Sequence, residues 1–251
     1  PERADGAGDV FVARAHVTDS MHGDRVVVRV ERRATERGRE GRIIRILERG
    51  CQRTVGRYEA NPAGIGYVVP HDSRIPQHVH VPKGDQGAAE PGDMVEVTIT
   101  RWPTATRGPI GRVTEVFGDM GTPGVDLRVI LAKHGIPDAH GDEAVSEARR
   151  CGRKIRAADV AGRTDFRERP TVTIDGERAR DFDDAITVER LPGGRMRLGV
   201  HIADVGHYVR EGSALDREAC ERGTSVYFPE RAVHMLPAEL ATGLCSLNPH
   251  A

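Results

Sequence analysis

Four aspartates are crowded into one short stretch of the sequence: Asp175, Asp181, Asp183 and Asp184 all lie within TIDGERARDFDDAI, residues 173–186. Carboxylates this close repel one another, so the folded protein must raise their pKa values, expose them to water or neutralise them with a cation. Hard oxygen ligands favour Mg²⁺ or Mn²⁺, and a carboxylate-held Mg²⁺ keeps positions open for water and substrate phosphate. The cluster therefore predicts a metal site for phosphoryl chemistry, and a two-ion site is an arrangement that suits such chemistry.

The spacing of the aspartates bears on their geometry. Residues 171–175 alternate like a strand, Gly176 permits a turn, and Asp181 and Asp183 would share one face of an extended segment. Asp184 would face the other way unless the backbone bends. Counted from Asp181, the fifth and sixth positions lack the ligand and the glycine of an EF-hand, which excludes that calcium loop. A solvated acidic loop without metal remains the alternative.

The sequence after the aspartates carries further motifs in a fixed order. Residues 196–249 read MRLGVHIADVGHYVREGSALDREACERGTSVYFPERAVHMLPAELATGLCSLNP. Together with the preceding Asp-Phe-Asp-Asp-Ala core, this run of about eighty residues resembles the start of the catalytic RNB domain of the RNase II/RNase R exoribonuclease family. Within that family, His201 to Val205 and Asn248-Pro249 follow the pattern of the RNase R branch.

The resemblance implies a processive, magnesium-dependent hydrolysis of RNA from its 3′ end that releases nucleoside 5′-monophosphates. The four aspartates match the family's four acidic positions. By that match, Asp175 and Asp184 would hold the better-ordered Mg²⁺, while Asp181 and Asp183 would complete the site and help to position a second ion and the water. Mn²⁺ would be able to substitute for Mg²⁺.

Tyr227, in the Val-Tyr-Phe-Pro motif, matches the family tyrosine that stacks on a nucleotide near the scissile phosphate. Stacking of a base on an aromatic ring tolerates any base, as a processive nuclease requires. The alternative is a half-buried core tyrosine whose hydroxyl is hydrogen-bonded.

The pattern of short strands predicts a mixed, β-rich fold class: tandem OB-fold, cold-shock-like β-barrels followed by the beginning of an α+β RNB catalytic domain. We expect a partial first barrel over residues 1–50, a second over 51–120, a connector over 121–165 and the amino-terminal part of the RNB domain over 166–251. The first barrel resembles a cold-shock domain in which Phe11 is the stacking aromatic. Only PERADGAG precedes Asp9, so this barrel is expected to lack its opening strands.

The second barrel is expected to be complete, with five strands: TVGRYE, GIGYVVP, HVHVP, DMVEVTITRWP and GPIGRVTEVFG. Tyr67 and three arginines, Arg101, Arg107 and Arg112, are its candidate RNA contacts. Ordinary barrel surface is the alternative for all four.

Segments outside the barrels predict a few further elements. VDLRVILAKHGIP, residues 125–137, indicates a buried strand in the connector, whereas residues 141–150 and 211–223 indicate short helices. Three arginines near the aspartates, Arg163, Arg167 and Arg169, would track phosphates or balance the aspartates. His201 and His207 are expected to be packed or solvated, because an oxygen-ligated site needs no imidazole.

Composition agrees with a cytoplasmic protein. The sequence contains no membrane-length apolar run, and it does not open with a signal-peptide pattern. Its four cysteines form no CxxC pair and are expected to be free thiols. The net charge is −1, yet residues 1–60 hold 13 arginines against 10 acids, so we expect basic and acidic functions to be segregated along the chain. We expect a monomer that acts on single-stranded RNA 3′ ends, with structured RNA as a further partner and no membrane.

The chain begins with proline and stops soon after Leu-Cys-Ser-Leu-Asn-Pro, so we expect a piece of a longer protein that is inactive alone. Two functional classes follow. One is an RNase R-like exoribonuclease, and the other is a cold-shock-type RNA-binding module with a non-catalytic RNB remnant. The presence of all four aspartates favours the enzyme.

Overall fold

The structure, a computed structural model, describes residues 9–17, 19–35, 38–104 and 106–249, with the side chains of residues 32–35 and 38 left aside. The chain divides into two compact units, Pro1–Ile136 and Pro137–Ala251.

A three-stranded sheet opens the first unit. It contains β1 (Val10–Val12), β2 (Arg25–Thr35) and β3 (Gly38–Glu48) in the order β1-β3-β2, with β1 parallel and β2 antiparallel to β3. Phe11 lies on β1 with 45% of its surface exposed. The expectation that this barrel lacks its opening strands concerns residues 1–8, which lie outside the described residues.

The next five strands form a closed barrel in the order β4-β5-β6-β8-β7, which confirms the five strands expected from the sequence. They are β4 (Arg53–Ala60), β5 (Gly66–Pro70), β6 (Val79–Val81), β7 (Met94–Arg101) and β8 (Ile110–Gly118). Alternate residues point inward, and the barrel is filled by fully buried valines, among them Val68, Val79, Val95 and Val97.

The prediction of a strand over residues 125–137 is wrong, because Val125–His134 is an α-helix, α1. Val125 and Val129 lie four residues apart on one helical face and pack against Val55, Met94 and Phe117 of the barrel. The helix ends at Gly135, whose φ of 63° is a left-handed conformation that suits glycine.

The second unit combines short helices with a small sheet and a hairpin. Its helices are α2 (Asp142–Cys151), α3 (Ala157–Val160), α4 (Val205–Tyr208) and α5 (Ala214–Arg222), and α2 and α5 confirm the two helices expected from the sequence. Its strands are β9 (Thr171–Val172), β10 (Asp184–Arg190) and β11 (Met196–Ile202) in an antiparallel sheet of order β11-β10-β9, then the β12 (Val226–Tyr227) and β13 (Ala232–Val233) hairpin. A π-helical turn spans Leu240–Leu244.

Two surfaces of the second unit contrast sharply. Ala148, Leu215 and Leu240 form the centre of a buried core between α2, α5 and the π-helical turn. By contrast, one face of the β9–β11 sheet is apolar and open to solvent, with Leu198 62% and Ile202 65% exposed.

Among the described residues, no helix combines the length and apolar character needed to cross a membrane. All four cysteines are free thiols, as the sequence led us to expect.

Candidate active site

The aspartates lie on the irregular segment that leads into β10. The turn expected at Gly176 is present, since Ala179 N donates to Gly176 O at 3.0 Å. The chain then runs without regular structure until Asp184, which begins β10 and pairs with Ile202 of β11. Because residues 179–183 are irregular, the aspartate side chains do not alternate between two faces as they would on a continuous strand.

A buried serine far along the chain fixes this segment. Ser246 Oγ accepts from Phe182 N at 2.9 Å and donates to Arg180 O at 3.1 Å. Leu247 N donates to Phe182 O at 2.9 Å, so both sides of the Phe182 peptide are held. The sequence interpretation missed Ser246, although a polar residue within the Leu-Cys-Ser-Leu-Asn-Pro motif was a usable signal.

The negative charges of the four aspartates act on one another. Partial burial of its carboxyl raises the pKa of Asp183, and the charges of Asp181, Asp184 and Asp175 raise it further. Asp183 O also accepts from Ala203 N at 3.0 Å, which ties the segment to the end of β11. The folded chain therefore concentrates like charge at Asp183.

A cation would relieve this repulsion, and carboxylate oxygens are the donors that Mg²⁺ and Mn²⁺ prefer. The donor set fits the metal in charge and chemistry. Within the described ranges, however, no three His, Cys, Asp or Glu side chains stand close enough together to hold an ion. The aspartates are thus electrostatic neighbours whose side chains would have to converge on an ion.

Tyr227 lies beside the aspartates, at the end of β12. Its hydroxyl donates to Asp181 Oδ2 at 2.5 Å, and this bond, with partial burial, raises the pKa of Tyr227 to about 12. The side chain is 63% exposed. The alternative of a half-buried core tyrosine is therefore not what the structure shows, and the ring is open to a planar ligand.

His234, which follows β13, is a second residue that sequence reasoning missed. Its Nδ1 lies 3.6 Å from Asp181 Oδ2, and its ring meets the Tyr227 ring edge-on with centroids 6.5 Å apart. Nδ1 is buried and has no hydrogen-bond partner among the described residues. The signal in the sequence was weak, because only the hairpin pairing of Tyr227 with Ala232 brings His234 near the aspartates.

The aromatic candidates of the first unit differ in accessibility. Phe11 is exposed on β1, whereas Tyr67 is half-buried and stacks on His78 with ring centroids 5.3 Å apart and planes 8° apart. One face of the Tyr67 ring is thus covered by His78.

The arginine candidates of the barrel divide into two kinds. Arg112 is paired with Asp85 at 2.7 Å. Arg101 and Arg107 are exposed and form no ion pair with the described residues. The guanidinium groups of the latter two are therefore more available to a ligand than that of Arg112.

The three arginines near the aspartates balance other acids instead. They pair as Arg163 with Asp204, Arg167 with Asp165, and Arg169 with Glu189. The four site aspartates therefore receive no ion pair from these arginines.

The two histidines that the sequence set aside are both packed, as expected. His201 Nε2 lies 3.1 Å from Thr187 Oγ1, and His207 Nε2 lies 3.0 Å from the buried Asp159.

Three domain families match successive parts of the chain. Residues 1–46 match the ribonuclease B OB domain, residues 67–140 the cold shock domain, and residues 163–251 the RNB domain. All four aspartates, Tyr227, His234 and Ser246 fall within the RNB match.

Two curated relatives show the same likeness along most of the sequence. Ribonuclease R of Thermotoga maritima is 45% identical over 231 residues, which are 91% of this chain and 32% of the relative. Ribonuclease R of Acidithiobacillus ferrooxidans is 43% identical over 248 residues, which are 98% of this chain and 56% of the relative. The chain thus spans between about a third and just over half the length of these relatives.

Solved structures agree in fold. Mycoplasma genitalium RNase R in complex with ribose-methylated single-stranded RNA superposes with a TM-score of 0.86 at 25% identity, covering 96% of this chain and 38% of that one. Yeast Ssd1, described as a pseudonuclease, is similar in fold alone, with a TM-score of 0.63 at 22% identity, covering 91% of this chain and 30% of that one.

Matches to the ribonuclease B OB, cold shock and RNB domains follow one another along this chain, and the RNB match carries the four neighbouring aspartates. Over more than nine tenths of its length the chain is similar to proteins named Ribonuclease R.

Proposed function

We propose that this chain supplies the RNA-binding barrels and the aspartate site of a 3′-to-5′ exoribonuclease that releases nucleoside 5′-monophosphates. One observation carries the proposal: the Asp181–Asp184 segment is anchored by Ser246, Ala203 and Tyr227, which come from three separate parts of the RNB segment. Supporting contacts of this kind hold the residues of a functional site in place, so they favour a site over a freely moving acidic loop. The chain covers only part of its relatives, so the activity is proposed for a polypeptide of their full length.

The substrate would be single-stranded RNA, presented by its 3′ end. The Mycoplasma genitalium relative was solved with single-stranded RNA, and this chain offers the exposed rings of Phe11 and Tyr227 for stacking. Exposed Arg101 and Arg107 would contact the phosphate backbone. Stacking and backbone contacts do not depend on base identity, so they suit processive degradation of any RNA sequence.

The aspartates would hold Mg²⁺, with Mn²⁺ as a substitute: Asp175 and Asp184 around one ion, Asp181 and Asp183 toward a second. Bound there, the metal would activate water and stabilise the leaving oxygen. Asp181 would be kept in orientation by the Tyr227 hydroxyl, and the Phe182 backbone by Ser246.

The reaction would be hydrolysis at the last phosphodiester. A water oxygen forms the new bond to phosphorus while the bond from phosphorus to the 3′ oxygen of the preceding nucleotide breaks. That oxygen takes a proton and becomes the new 3′ hydroxyl, and the terminal nucleotide leaves as a 5′-monophosphate. The Tyr227 ring would hold the terminal or neighbouring base in register with the aspartates.

The rival function is an RNA-binding module whose RNB segment is not catalytic. The observation that favours it is the lack, among described residues, of three side chains already placed to hold a metal. The two functions differ in whether bound RNA is shortened.

A time course on 5′-labelled single-stranded RNA with Mg²⁺ tests the proposal. It compares this chain with the longest polypeptide encoded around it, each with and without EDTA. We expect a ladder that shortens stepwise from the 3′ end only with the longer protein and only with metal. The proposal fails if the longer protein binds this RNA and leaves it intact, and the binding module is then the better description.

A further inference from the structure

The β12–β13 hairpin brings two potential hydrogen-bond donors to one carboxylate oxygen. Asp181 Oδ2 accepts from the Tyr227 hydroxyl at 2.5 Å, and His234 Nδ1 lies 3.6 Å from the same oxygen. At 3.6 Å the histidine makes no hydrogen bond, but a shift of well under 1 Å would bring it into range.

The lack of a hydrogen bond at His234 Nδ1 calls for an explanation. Nδ1 is buried and has no partner among the described residues, although buried polar atoms are nearly always hydrogen-bonded. The nearby imidazole of His140 does not compete, because its Nδ1 is engaged by Glu218 Oε1 at 2.9 Å. Asp181 is therefore the acceptor that the ring nitrogen faces.

The backbone keeps His234 in place. Val233 pairs with Val226 across the hairpin, and Met235 N donates to Ser225 Oγ at 2.9 Å. Leu236 is buried in the core of the second unit. Since both neighbours are fixed, the imidazole has little freedom to turn away from Asp181.

The hydrogen bond from Tyr227 to Asp181 is, by contrast, easily disturbed. Its side chain is 63% exposed, and in the function proposed above, on which this inference rests, each new nucleotide would dock against its ring. Every docking and release would disturb the hydroxyl that holds Asp181. A second donor would keep the carboxylate oriented through each cycle.

We propose that His234 is a positioning residue for Asp181: its Nδ1 donates to Oδ2 when the Tyr227 hydroxyl is drawn away by RNA. Oδ1 accepts a long hydrogen bond from Arg180 N at 3.4 Å and keeps a lone pair for a divalent cation. Both donors of the hairpin serve the same oxygen, so the second oxygen keeps its orientation whichever donor is engaged.

Substitution of Tyr227 by phenylalanine imitates withdrawal of the hydroxyl and allows a test without metal. In the Tyr227→Phe chain we expect the His234 Nδ1 proton to appear as a protected, downfield resonance in nitrogen-edited NMR spectra. In the wild-type chain we expect no such resonance. Absence of the resonance from Tyr227→Phe overturns the proposal, whatever the metal does.

A double-mutant cycle on Mn²⁺ binding by the same chain gives the second readout. We expect about a threefold loss of Mn²⁺ affinity for Tyr227→Phe or His234→Leu alone, and about fiftyfold for the pair, because each donor covers for the other. His234→Asn, which retains a donor near the Nδ1 position, should bind Mn²⁺ within about twofold of wild type.

The outcomes separate the inference from the function on which it rests. Additive losses, or no effect of His234→Leu in either background, would show that His234 only packs against Tyr227. If Asp183→Asn leaves Mn²⁺ binding unchanged, the proposed metal site is wrong, while the NMR comparison still decides the role of His234. Unfolding midpoints of each variant confirm that changes in affinity do not reflect loss of the fold.

Discussion

The Tyr227 hydroxyl donates a 2.5 Å hydrogen bond to Asp181 Oδ2, which joins two residues 46 positions apart. Because the ring of Tyr227 stays exposed while its hydroxyl is bound, one side chain faces both the acidic cluster and the solvent. On the proposed function, a nucleotide stacked on this ring would lie next to the aspartates.

Replacement of Asp183 by asparagine should separate chemistry from binding. Asp183 receives the repulsion of the other three aspartates. On the proposed function, loss of its charge would remove a metal ligand and leave the remote RNA contacts in place. In the longest polypeptide that includes this chain, we expect near-normal RNA affinity and at least about a hundredfold lower cleavage rate. Single-turnover rates and filter binding measure the two quantities.

Asp165→Asn is the matched control for this variant, because Asp165 is an exposed acid that pairs with Arg167. It should leave the cleavage rate within about twofold, since exposed ion pairs contribute little. Equal loss of affinity and rate in Asp183→Asn would instead show that Asp183 supports the fold or the RNA.

Replacement of Ser246 by alanine should loosen the aspartate segment. Phe182 N would lose its acceptor and Arg180 O its donor in a buried place, which destabilises the second unit by about 1–3 kcal/mol. We expect faster hydrogen exchange over residues 180–184, measured by mass spectrometry. Ser146→Ala, at an exposed position of α2, should leave this exchange unchanged. Slow exchange in Ser246→Ala would mean that other contacts fix the segment.

The contribution of Asp183 to the stability of the metal-free second unit should fall as the pH rises above about 4, whereas Asp159, Asp165 and Asp204, whose pKa values are lowered, contribute in the opposite sense at lower pH. The pKa of Asp183 is raised in the folded protein above its usual value near 4, so the folded state binds the proton more tightly than the unfolded state. Stability from this group is therefore present below about pH 4 and lost as the pH rises through the folded pKa. We expect the protection of β10 and β11 amides in EDTA, corrected for the intrinsic pH dependence of amide exchange, to fall toward neutral pH in wild type.

The Asp183→Asn variant has no charge at position 183 at any pH, so it should not lose stability for this reason. Addition of Mg²⁺ should slow the exchange again in wild type, because a cation offsets the repulsion. Parallel pH profiles of wild type and Asp183→Asn would exclude Asp183 as the source.

The four free thiols should react in a definite order. Cys220 is exposed, whereas burial raises the pKa of Cys245 to about 11, which leaves about a thousandth of it as thiolate at pH 8. We expect one rapid maleimide adduct on the native chain, located at Cys220 by peptide mapping. Cys220→Ser should abolish the rapid phase, and rapid labelling of Cys245 in the native chain would contradict the buried geometry.

The barrel could be predicted from sequence because its signals are local. Strands of alternating apolar residues separated by glycine and proline read directly as a five-stranded barrel. The connector helix was predicted as a strand for an equally local reason. Its sequence, VDLRVILAKHGIP, is rich in β-branched residues and has the composition of a buried strand. Its helical signals were Asp126 in the first turn, Lys133 and His134 in the last, and Gly135 at the end.

The residue types of the candidate site could be predicted from the sequence, but the residues that anchor them could not. The aspartates and Tyr227 stand in recognisable motifs, so chemistry and likeness pointed to them. Their anchors depend on contacts between distant positions: Ser246 meets Phe182 across 64 residues, and His234 approaches Asp181 only through the hairpin. No periodicity within a short window contains that information.

The long reach of these anchors also sets an order of events during synthesis. Phe182 and Arg180 are bonded by Ser246, and Phe182 also by Leu247, so a ribosome must extend the chain more than sixty residues past the acidic segment before its anchors are complete. Until then the segment has the contacts of Ala203 and Tyr227 without those of Ser246, and contacts of such sequence separation form late. On the proposed function, the nuclease geometry would stay unassembled while this part of the nascent protein is still tethered beside its own messenger RNA.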